Sequence, residues 1–446
     1  MIVPENRMLL LVGASILPAS LAAAAVPATT LPALAICAAV VLICVVDALF
    51  VAGKCSAIRV DFPEKVNIVR NREESLVFKI REEKGNVGKL LLAIGFPCEV
   101  ASVQEELPVE FPQGAESVQV TWPITANRRG EYGLSGCLIR VRSRLGLWTK
   151  QENRSAETRI HVYPDLMKEQ QKITALFLRR NTPGLRAQRQ VGRGREFEML
   201  RDYIPGDSMS DIHWRVTAKR GHLVTKEYQI ERTQEVYVVI DASRLSSRMI
   251  ESNDLDIREP ILERHIGAAL TLGDFAQRQG DKFGLIVFSN RVLNFLRAGS
   301  NRAHFRLCRD SLLTLEPQTV SPDFEEVAAA IMKSLRRRAL LLFLTCLDDP
   351  TLAESFVTGM EAVGRKHLMT VNMIRPASAM PLFSDPGIDG ADDIYRALGG
   401  HMVHQSLREL EIVLRRRGIG FYLLAHERLS VEMVSQYINV KRRQIL

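Results

Sequence analysis

The chain opens with an apolar stretch long enough to cross a membrane twice. Between Met8 and Gly53 the only charged residue is Asp47. Two apolar runs, Met8–Val26 and Ala33–Ala52, each approach the roughly 20 residues that a helix needs to cross hydrocarbon. A short uncharged connection joins them. Because only a helix satisfies its own backbone groups in lipid, this pattern predicts a transmembrane helical hairpin.

The charges that flank this stretch predict its orientation. Arg7 precedes the first run, and Lys54 and Arg59 follow the second. The positive-inside rule therefore places both ends of the hairpin in the cytoplasm. An alternative is that the first run is a signal peptide cleaved in the small-residue region Ala22–Ala28. The bulk of the chain is cytoplasmic in both cases.

Asp47 is a carboxylate inside the second apolar run, about two turns from its end. Such groups are functional candidates in a membrane. At this depth the side chain either reaches the interface or bonds a neighbouring helix.

Composition adds two constraints. The 446 residues carry a net charge of +8, which fits the cytoplasmic side of a membrane protein. The basic residues lack the interleaved aromatics of a nucleic-acid surface. The seven cysteines are scattered with no C-x-x-C pair, which argues against a disulfide framework and against a zinc site.

After the apolar stretch, short runs of β-branched or alternating apolar residues predict an all-β region. Turn signals separate the runs, and their spacing favours a sandwich. The predicted strands are Val66–Val69, Ser75–Ile80, Leu90–Ile94, Ser117–Trp122, Cys137–Arg142 and Thr158–Tyr163.

From Glu235 onward, buried apolar runs alternate with amphipathic segments. This pattern predicts a mostly parallel, doubly wound sheet, with a hairpin at Ser289–Arg291 that adds an antiparallel edge strand. Predicted strands are Val236–Ile240, Phe283–Phe288, Val292–Leu296, Leu340–Leu344, Leu368–Ile374 and Gly420–Leu424. Predicted helices are Ile261–Gln279, Arg302–Leu315, Phe324–Arg338, Leu352–Val363, His404–Arg416 and Val431–Lys441. The stretch Pro376–Ala397 is predicted to leave the sheet.

The fold class is therefore α+β and multidomain. We assign a membrane anchor to residues 1–55, a β-rich domain to 56–165, a basic linker with a charged motif to 166–234, and an α/β domain to 235–446. The arginine-rich part of 165–193 is predicted to be mobile; it is either a solvated loop or a contact for anionic lipid or an acidic partner.

Polar residues follow two strands of the predicted sheet. Asp241 and Ser243 come after the first strand, and Asp348 follows the Leu340–Leu344 strand. Sites in open α/β sheets form at the carboxyl ends of strands, and these oxygens suit Mg²⁺. Alternatively, Asp241 and Ser243 cap the next segment.

This arrangement resembles a von Willebrand factor A domain, which binds a divalent ion through Asp-x-Ser-x-Ser, a Thr and an Asp. Asp241 and Ser243 match the first two positions, while Leu245 replaces the second Ser and Ser246 follows it. The remaining positions are degraded: Cys346 stands where the Asp is expected, and Thr319 is the candidate for the Thr. The resemblance implies a degenerate Mg²⁺ site.

A second resemblance spans nearly the whole chain. The segment Gly194–Glu227, together with Arg129–Tyr132, Leu145–Trp148, Val162–Pro164 and the C-terminal Asn439–Leu446, resembles the domain of unknown function 58 family. That resemblance implies two N-terminal transmembrane helices in a bacterial or archaeal inner membrane, a β-rich region and a von Willebrand A-like domain. The sequence departs from the family pattern at Ser208, His213 and Lys219.

Charged and aromatic residues are mixed in the 194–227 motif. The combination favours either a docking surface or a salt-bridged brace between domains. His213 and His222 are isolated and read as structural. The motif residues are Glu196, Phe197, Arg201, Tyr203, Gly206, Asp207, Trp214, Arg220 and Glu227.

No sequence motif indicates an enzyme active site. The family resemblance implies an adaptor that works with a MoxR-type AAA+ ATPase and other membrane or envelope proteins. Two alternatives remain open. One is a metal-assisted hydrolase that uses Asp241, Ser243 and Asp348, and the other is a basic protein that binds membrane surfaces or nucleic acid.

Overall fold

A computed structural model describes residues 1–25, 30–52, 55–82, 89–112, 116–179, 191–229, 234–252, 257–381 and 391–443. The chain forms two compact units, Met1–Asp165 and Leu166–Leu446. The class is mixed α and β, as predicted, with two apolar N-terminal helices and several sheets.

The first unit begins with a short strand and two long helices. Strand β1 is Ile2–Pro4, helix α1 is Asn6–Ala25 and helix α2 is Thr30–Ala52. Both helices are long and apolar enough to cross a membrane, with mean hydropathies of 2.0 and 2.9 over a window of 18 residues. Most of their large apolar side chains are exposed. The membrane association predicted from the sequence is supported to this extent.

The rest of the first unit is a set of β-sheets. Its strands are β2 Ile58–Asp61, β3 Lys65–Val69, β4 Glu73–Glu82, β5 Lys89–Gly95, β6 Val100–Ala101, β7 Leu107–Glu110, β8 Ser117–Ala126, β9 Gly130–Gly133, β10 Gly136–Arg142, β11 Trp148–Arg154 and β12 Arg159–Tyr163. They form sheets of order β1-β11-β10-β5-β7, β2-β4-β8-β6 and β3-β12-β9.

One apolar core holds these sheets together. Alternate side chains point inward, as in β4, where Leu76, Phe78 and Ile80 are buried and Val77 and Lys79 are exposed. This period of two is typical of a strand with one buried face and one solvent-exposed face. The core also contains residues of β5, β8, β10 and β12, so the sheets pack face to face. We call this part the sandwich.

The second unit contains a helix, a two-stranded hairpin and a larger sheet. Its elements up to the centre of the sheet are α3 Leu166–Arg179, β13 Val191–Asp202, α4 Trp214–Arg220, β14 Val224–Gln229 and β15 Glu235–Asp241. The next are β16 Met249–Ser252, β17 Ile257–Pro260, α5 Ile261–Arg278, β18 Lys282–Phe288, β19 Val292–Gly299, α6 Arg302–Ser311 and α7 Phe324–Ser334. The last are β20 Leu340–Leu344, α8 Pro350–Gly359, α9 Glu361–Lys366, β21 Leu368–Ile374, α10 Ala391–Arg416, β22 Gly420–Leu424 and α11 Leu429–Arg443.

The larger sheet has the order β19-β18-β15-β20-β21-β22. Its pairs are parallel except β18–β19, which is antiparallel at the edge. The predicted edge strand is thus confirmed. Every residue of Leu340–Leu344 is buried, because helices cover both faces of a sheet of this kind. Successive strands run outward from β15 on one side and from β20 on the other, so the strand order reverses between these two strands.

Three expectations need correction. Residues 191–193 of the expected linker begin strand β13, and α3 extends to Arg179; residues 180–190 lie outside the described part. The end of the expected excursion, 391–397, is the first part of α10, while 382–390 are not described. The 194–227 motif is built on a hairpin whose strands sequence reasoning missed, because their charged side chains hide the alternation of a strand.

Candidate functional site

The first candidate site lies where the strand order reverses. Asp241 ends β15, and Thr345 directly follows β20. Because these strands are parallel neighbours, their carboxyl ends meet at one edge. The Thr345 hydroxyl donates a hydrogen bond of 2.6 Å to Asp241 Oδ2, and the Ser243 amide donates one of 2.8 Å to Oδ1. The three residues are at most 1% exposed. We call them the sheet-edge cluster.

Burial dominates the electrostatics of this cluster. Removal from water raises the pKa of the Asp241 carboxyl, and hydrogen bonds from Thr345 and Ser243 offset part of that increase. Ser243 Oγ accepts a bond of 3.4 Å from the Leu245 amide, so Ser243 caps the short turn that follows. Asp241 Oδ1 and Ser243 Oγ therefore cap the turn, as one of the two interpretations of the sequence expected, while Asp241 Oδ2 accepts the bond from Thr345.

The third predicted ligand points elsewhere. Asp348 forms an ion pair with Arg248. Burial raises the pKa of the Cys346 thiol to about 12, so this residue stays a protonated thiol at neutral pH. Thr319 is exposed. The backbone amide of its neighbour Gln318 donates a hydrogen bond of 2.7 Å to Ala242 O.

Within the described ranges, no group of three or more His, Cys, Asp and Glu side chains is placed to hold a metal. Mg²⁺ is usually held by one or two carboxylates together with several waters, and the cluster offers one carboxylate and two hydroxyls. The donor types therefore suit Mg²⁺, but all three residues are at most 1% exposed, and magnesium binding stays a prediction of the sequence alone. The sequence indicated that the loop after Leu340–Leu344 could add a Thr or an Asp to this site, and in the structure the residue that contacts Asp241 is Thr345.

The second candidate site is the turn region of the β13–β14 hairpin. Arg201 donates two hydrogen bonds, of 2.8 and 2.7 Å, to the two oxygens of Asp207. The Ile204 amide donates a third, of 3.0 Å. The bonds from Arg201, and then the one from Ile204, hold the pKa of the Asp207 carboxyl below its usual value. The structure therefore joins two of the predicted motif residues as the centre of a local turn.

Backbone geometry fixes the rest of this turn region. Gly206 adopts φ +113°, which favours glycine at that position. The Tyr203 amide bonds Leu223 O at 3.0 Å, closing the base of the turn. His213 caps α4 through its Nδ1 atom, which accepts a bond of 3.4 Å from the Val216 amide. His213 is thus structural, as the sequence indicated.

Large apolar side chains project from this rigid turn. Ile204 is 58% exposed, Met209 72%, Trp214 62% and Leu223 42%. We call these four residues the hairpin tip. Exposed tryptophan and methionine are enriched where one protein docks on another, so this end of the hairpin has the composition of a binding surface.

The other motif residues are more dispersed. Arg220 is exposed in the last turn of α4. Glu196 and Phe197 lie in β13 opposite Gln229 and Tyr228, and Glu227 lies in β14 opposite Met199. The side chains of Glu196, Phe197 and Glu227 lie outside the described part, so the motif is partly a strand framework and partly the exposed tip.

Comparisons with known proteins find relatives that are described as uncharacterized. A match to the uncharacterized protein YeaD of Bacillus subtilis has 24% identity and covers 36% of this chain and 40% of that one. A match to the uncharacterized protein Rv1480 of Mycobacterium tuberculosis has 21% identity, with coverages of 42% and 56%. The chain thus aligns with about half of the length of these relatives.

Solved structures give weaker likenesses. One is a conserved hypothetical protein BatB from Bacteroides thetaiotaomicron, with 14% identity, a TM-score of 0.30, and coverage of 47% of this chain and 99% of that one. Another is an aerotolerance-related membrane protein from Bacteroides fragilis, with 14% identity, a TM-score of 0.29, and coverages of 46% and 98%. Scores this low support no inference about activity. The family whose model matches, over residues 199–382, is described as protein of unknown function DUF58, and this range contains both the hairpin tip and the sheet-edge cluster.

Proposed function

We propose that this chain is a membrane-tethered adaptor that binds a MoxR-type AAA+ ATPase through the hairpin tip. In this role it takes part in the assembly or regulation of membrane or envelope complexes. The partner is the one that the family resemblance implies. The observation that carries the proposal is the exposure of Trp214 and Met209, at 62% and 72%, on a turn braced by its own hydrogen bonds.

The bracing matters because docking on a rigid surface costs less conformational entropy. Asp207 is held by Arg201 and by the Ile204 amide. The tip can therefore offer its apolar side chains without first ordering its backbone. Tryptophan is among the residues that carry most of the binding energy in protein interfaces, and methionine is enriched in them.

The tether is the pair α1 and α2. Their length and hydropathy are those of membrane-spanning helices. Arg7, Lys54 and Arg59 flank them, which supports a hairpin with both ends in the cytoplasm of a cell with an inner membrane. The second unit then faces a cytoplasmic ATPase.

In this proposal, the larger sheet of the second unit is a von Willebrand A-like scaffold. Its strand order and the residues Asp241, Ser243 and Thr345 support that reading. The cluster ties β15 to β20 and supplies no catalytic group.

The test is to solubilise the protein gently from native membranes and to identify what co-purifies, with and without ATP. We expect a MoxR-type ATPase to co-purify with the unaltered chain. We expect it to be lost from the double variant Met209→Ala, Trp214→Ala. The matched control is Tyr395→Ala, Met402→Ala, since these α10 side chains are 73% and 65% exposed. Equal recovery with both double variants, or no ATPase with a well-folded chain, contradicts the proposal.

A further inference from the structure

The N-terminal residues are part of the sandwich. Strand β1 pairs with β11, with Ile2 opposite Lys150 and Pro4 opposite Trp148. Glu5 then accepts a hydrogen bond of 2.6 Å from the Thr149 hydroxyl, which holds the pKa of the Glu5 carboxyl below its usual value. Helix α1 begins at the next residue, so its first turn is fixed to the edge of the sandwich.

The loop between β10 and β11 is fixed to α2. We call residues Ser143–Trp148 the contact loop. The Trp148 indole Nε1 donates a bond of 2.9 Å to Cys44 O, and the Leu145 amide donates one of 3.3 Å to Asp47 Oδ1. Leu147 packs in a small apolar cluster with Val40 and Cys44. The sequence left open whether Asp47 reaches the interface or bonds a helix; it bonds this loop.

The contact loop has a defined conformation. Ser143 Oγ accepts bonds of 3.1 Å from both the Leu147 and the Trp148 amide. Gly146 adopts φ +72°, a left-handed conformation that favours glycine. The position of Leu145 at the tip of this loop is therefore set by the protein itself.

The loop reaches along the part of α2 that carries apolar side chains on its surface. Asp47 lies five residues before the end of α2 at Ala52, a distance of about 8 Å along a helix. Three residues further along α2, on a neighbouring position of the helix surface, Phe50 is 59% exposed. Leu145 is 56% exposed at the same level, although Asp47 itself is only 2% exposed and its Oδ2 has no hydrogen-bond partner among the described residues.

We propose that the contact loop inserts into the phospholipid bilayer, with Leu145 in the apolar boundary beside α2 and Asp47 holding the loop in place. The inference rests on the membrane tether in the proposed function. The bilayer is the occupant because the exposed Leu145 is hydrogen-bonded through its backbone to α2, a helix whose large apolar side chains are mostly exposed. Tryptophan is favoured at such interfaces, as is an arginine beside lipid phosphates; Trp148 and the exposed Arg144 supply both. The sandwich then lies directly on the membrane surface.

Quenching of a fluorophore at position 145 tests the insertion. The full chain, with Cys37→Ser and Cys98→Ser to remove the accessible thiols, carries Leu145→Cys labelled with bimane and is reconstituted in vesicles of phosphatidylcholine and phosphatidylglycerol. Val103→Cys is the matched control. Val103 is 94% exposed and follows β6, near the end of the sandwich where Gly95 pairs with Gly136. Gly136 is the first residue of β10, whereas the contact loop follows the last residue of that strand. Brominated lipid is expected to quench the label at 145 and not the label at 103. Aqueous iodide is expected to quench the label at 103 at least about fivefold more than the label at 145.

The results separate the loop from the tether. If the protein floats with the vesicles and resists carbonate extraction, but iodide quenches both labels equally, the insertion is wrong and the tether stands. If the protein does not float with the vesicles, the tether itself is wrong. Asp47→Leu is expected to raise iodide quenching at 145 toward the value at 103, whereas Asp47→Asn, which keeps the acceptor oxygen, leaves it low. No change with Asp47→Leu overturns the role given to Asp47.

Discussion

The sheet-edge cluster and the hairpin tip are both rich in residues that attract functional interpretation, but they differ in what those residues touch. In the cluster, Ser243 and Thr345 both donate hydrogen bonds to Asp241, and all three residues are buried. At the base of the hairpin tip, the charged pair Arg201–Asp207 is used internally, while the apolar side chains of the tip are exposed. The difference shows that a motif of catalytic appearance can be a structural joint, while a less distinctive segment offers the accessible surface.

At neutral pH, the largest expected effect of a substitution is on stability at the sheet-edge cluster. Asp241→Ala leaves the Thr345 hydroxyl and the Ser243 amide without their buried acceptor, and each loss costs about 1–3 kcal/mol. We expect the free energy of unfolding of the second unit to fall by about 3 kcal/mol in denaturant titrations. Asp241→Asn keeps one acceptor and is the control, with a smaller loss. An Asp241→Ala variant as stable as the unaltered chain would contradict the structural role that we assign to Asp241.

A pH titration sharpens the contrast between interior and surface. His265 lies on α5, which packs against the turn after Asp241, and burial lowers its pKa to about 3 from 6.5. Below pH 6.5 the unfolded chain binds a proton that the folded chain refuses. Stability is therefore lost as the pH falls from 6.5 toward 3, by about 1.4 kcal/mol per pH unit. His265→Leu removes this contribution, and the difference between the two unfolding curves isolates it from Asp241. Parallel curves would contradict the burial of a neutral imidazole.

A smaller and local effect is expected at the base of the tip. Asp207→Ala removes the acceptor for Arg201 and for the Ile204 amide, so hydrogen exchange at Ile204 should accelerate while the midpoint of thermal unfolding stays unchanged. Because the pKa of Asp207 is lowered, the bracing is present above the ordinary pKa of 3.8 and is lost as the pH falls through the lower, folded value. Ser210→Ala, in the same turn and exposed, is the control. Unchanged exchange at Ile204 would show that the turn does not depend on this pair.

The smallest expected effect on stability is at the tip itself. Since Met209 and Trp214 are largely exposed, the double change to alanine should alter the free energy of unfolding by no more than about 0.5 kcal/mol. Thermal unfolding of the purified double variant checks this value. A loss as large as that of Asp241→Ala would mean that the tip packs against the protein and is no free surface.

The sequence predicted the parts of the fold whose pattern is set by burial. The strands Leu340–Leu344 and Leu368–Ile374 have the predicted bounds, because central strands of a parallel sheet are continuous apolar runs. The edge strand Gly420–Leu424 also has its predicted bounds. Strand β11, Trp148–Arg154, was missed: it is polar along most of its length, and its pairing with β1 and β10 defines it. The same reason hid the strands β13 and β14.

The sites were predictable only in part. Asp241 and Ser243 were placed correctly at a strand end, and Asp207 and Arg201 were recognised as charged members of one motif. Their partners depend on distant or turn contacts, such as the Thr345 hydroxyl 104 residues away and the ion pair of Asp348 with Arg248. Spacing along a chain does not encode such contacts.

The central claim is that the hairpin tip, and not the sheet-edge cluster, binds the partner. The most direct test is the dissociation constant between a purified MoxR-type ATPase and the full chain in lipid nanodiscs. We expect Met209→Ala, Trp214→Ala to weaken binding at least about tenfold, as the loss of an interface anchor does. Asp241→Asn and Tyr395→Ala, Met402→Ala should change it by less than about twofold. Equal weakening by all three, or binding that survives the loss of Met209 and Trp214, would contradict the account.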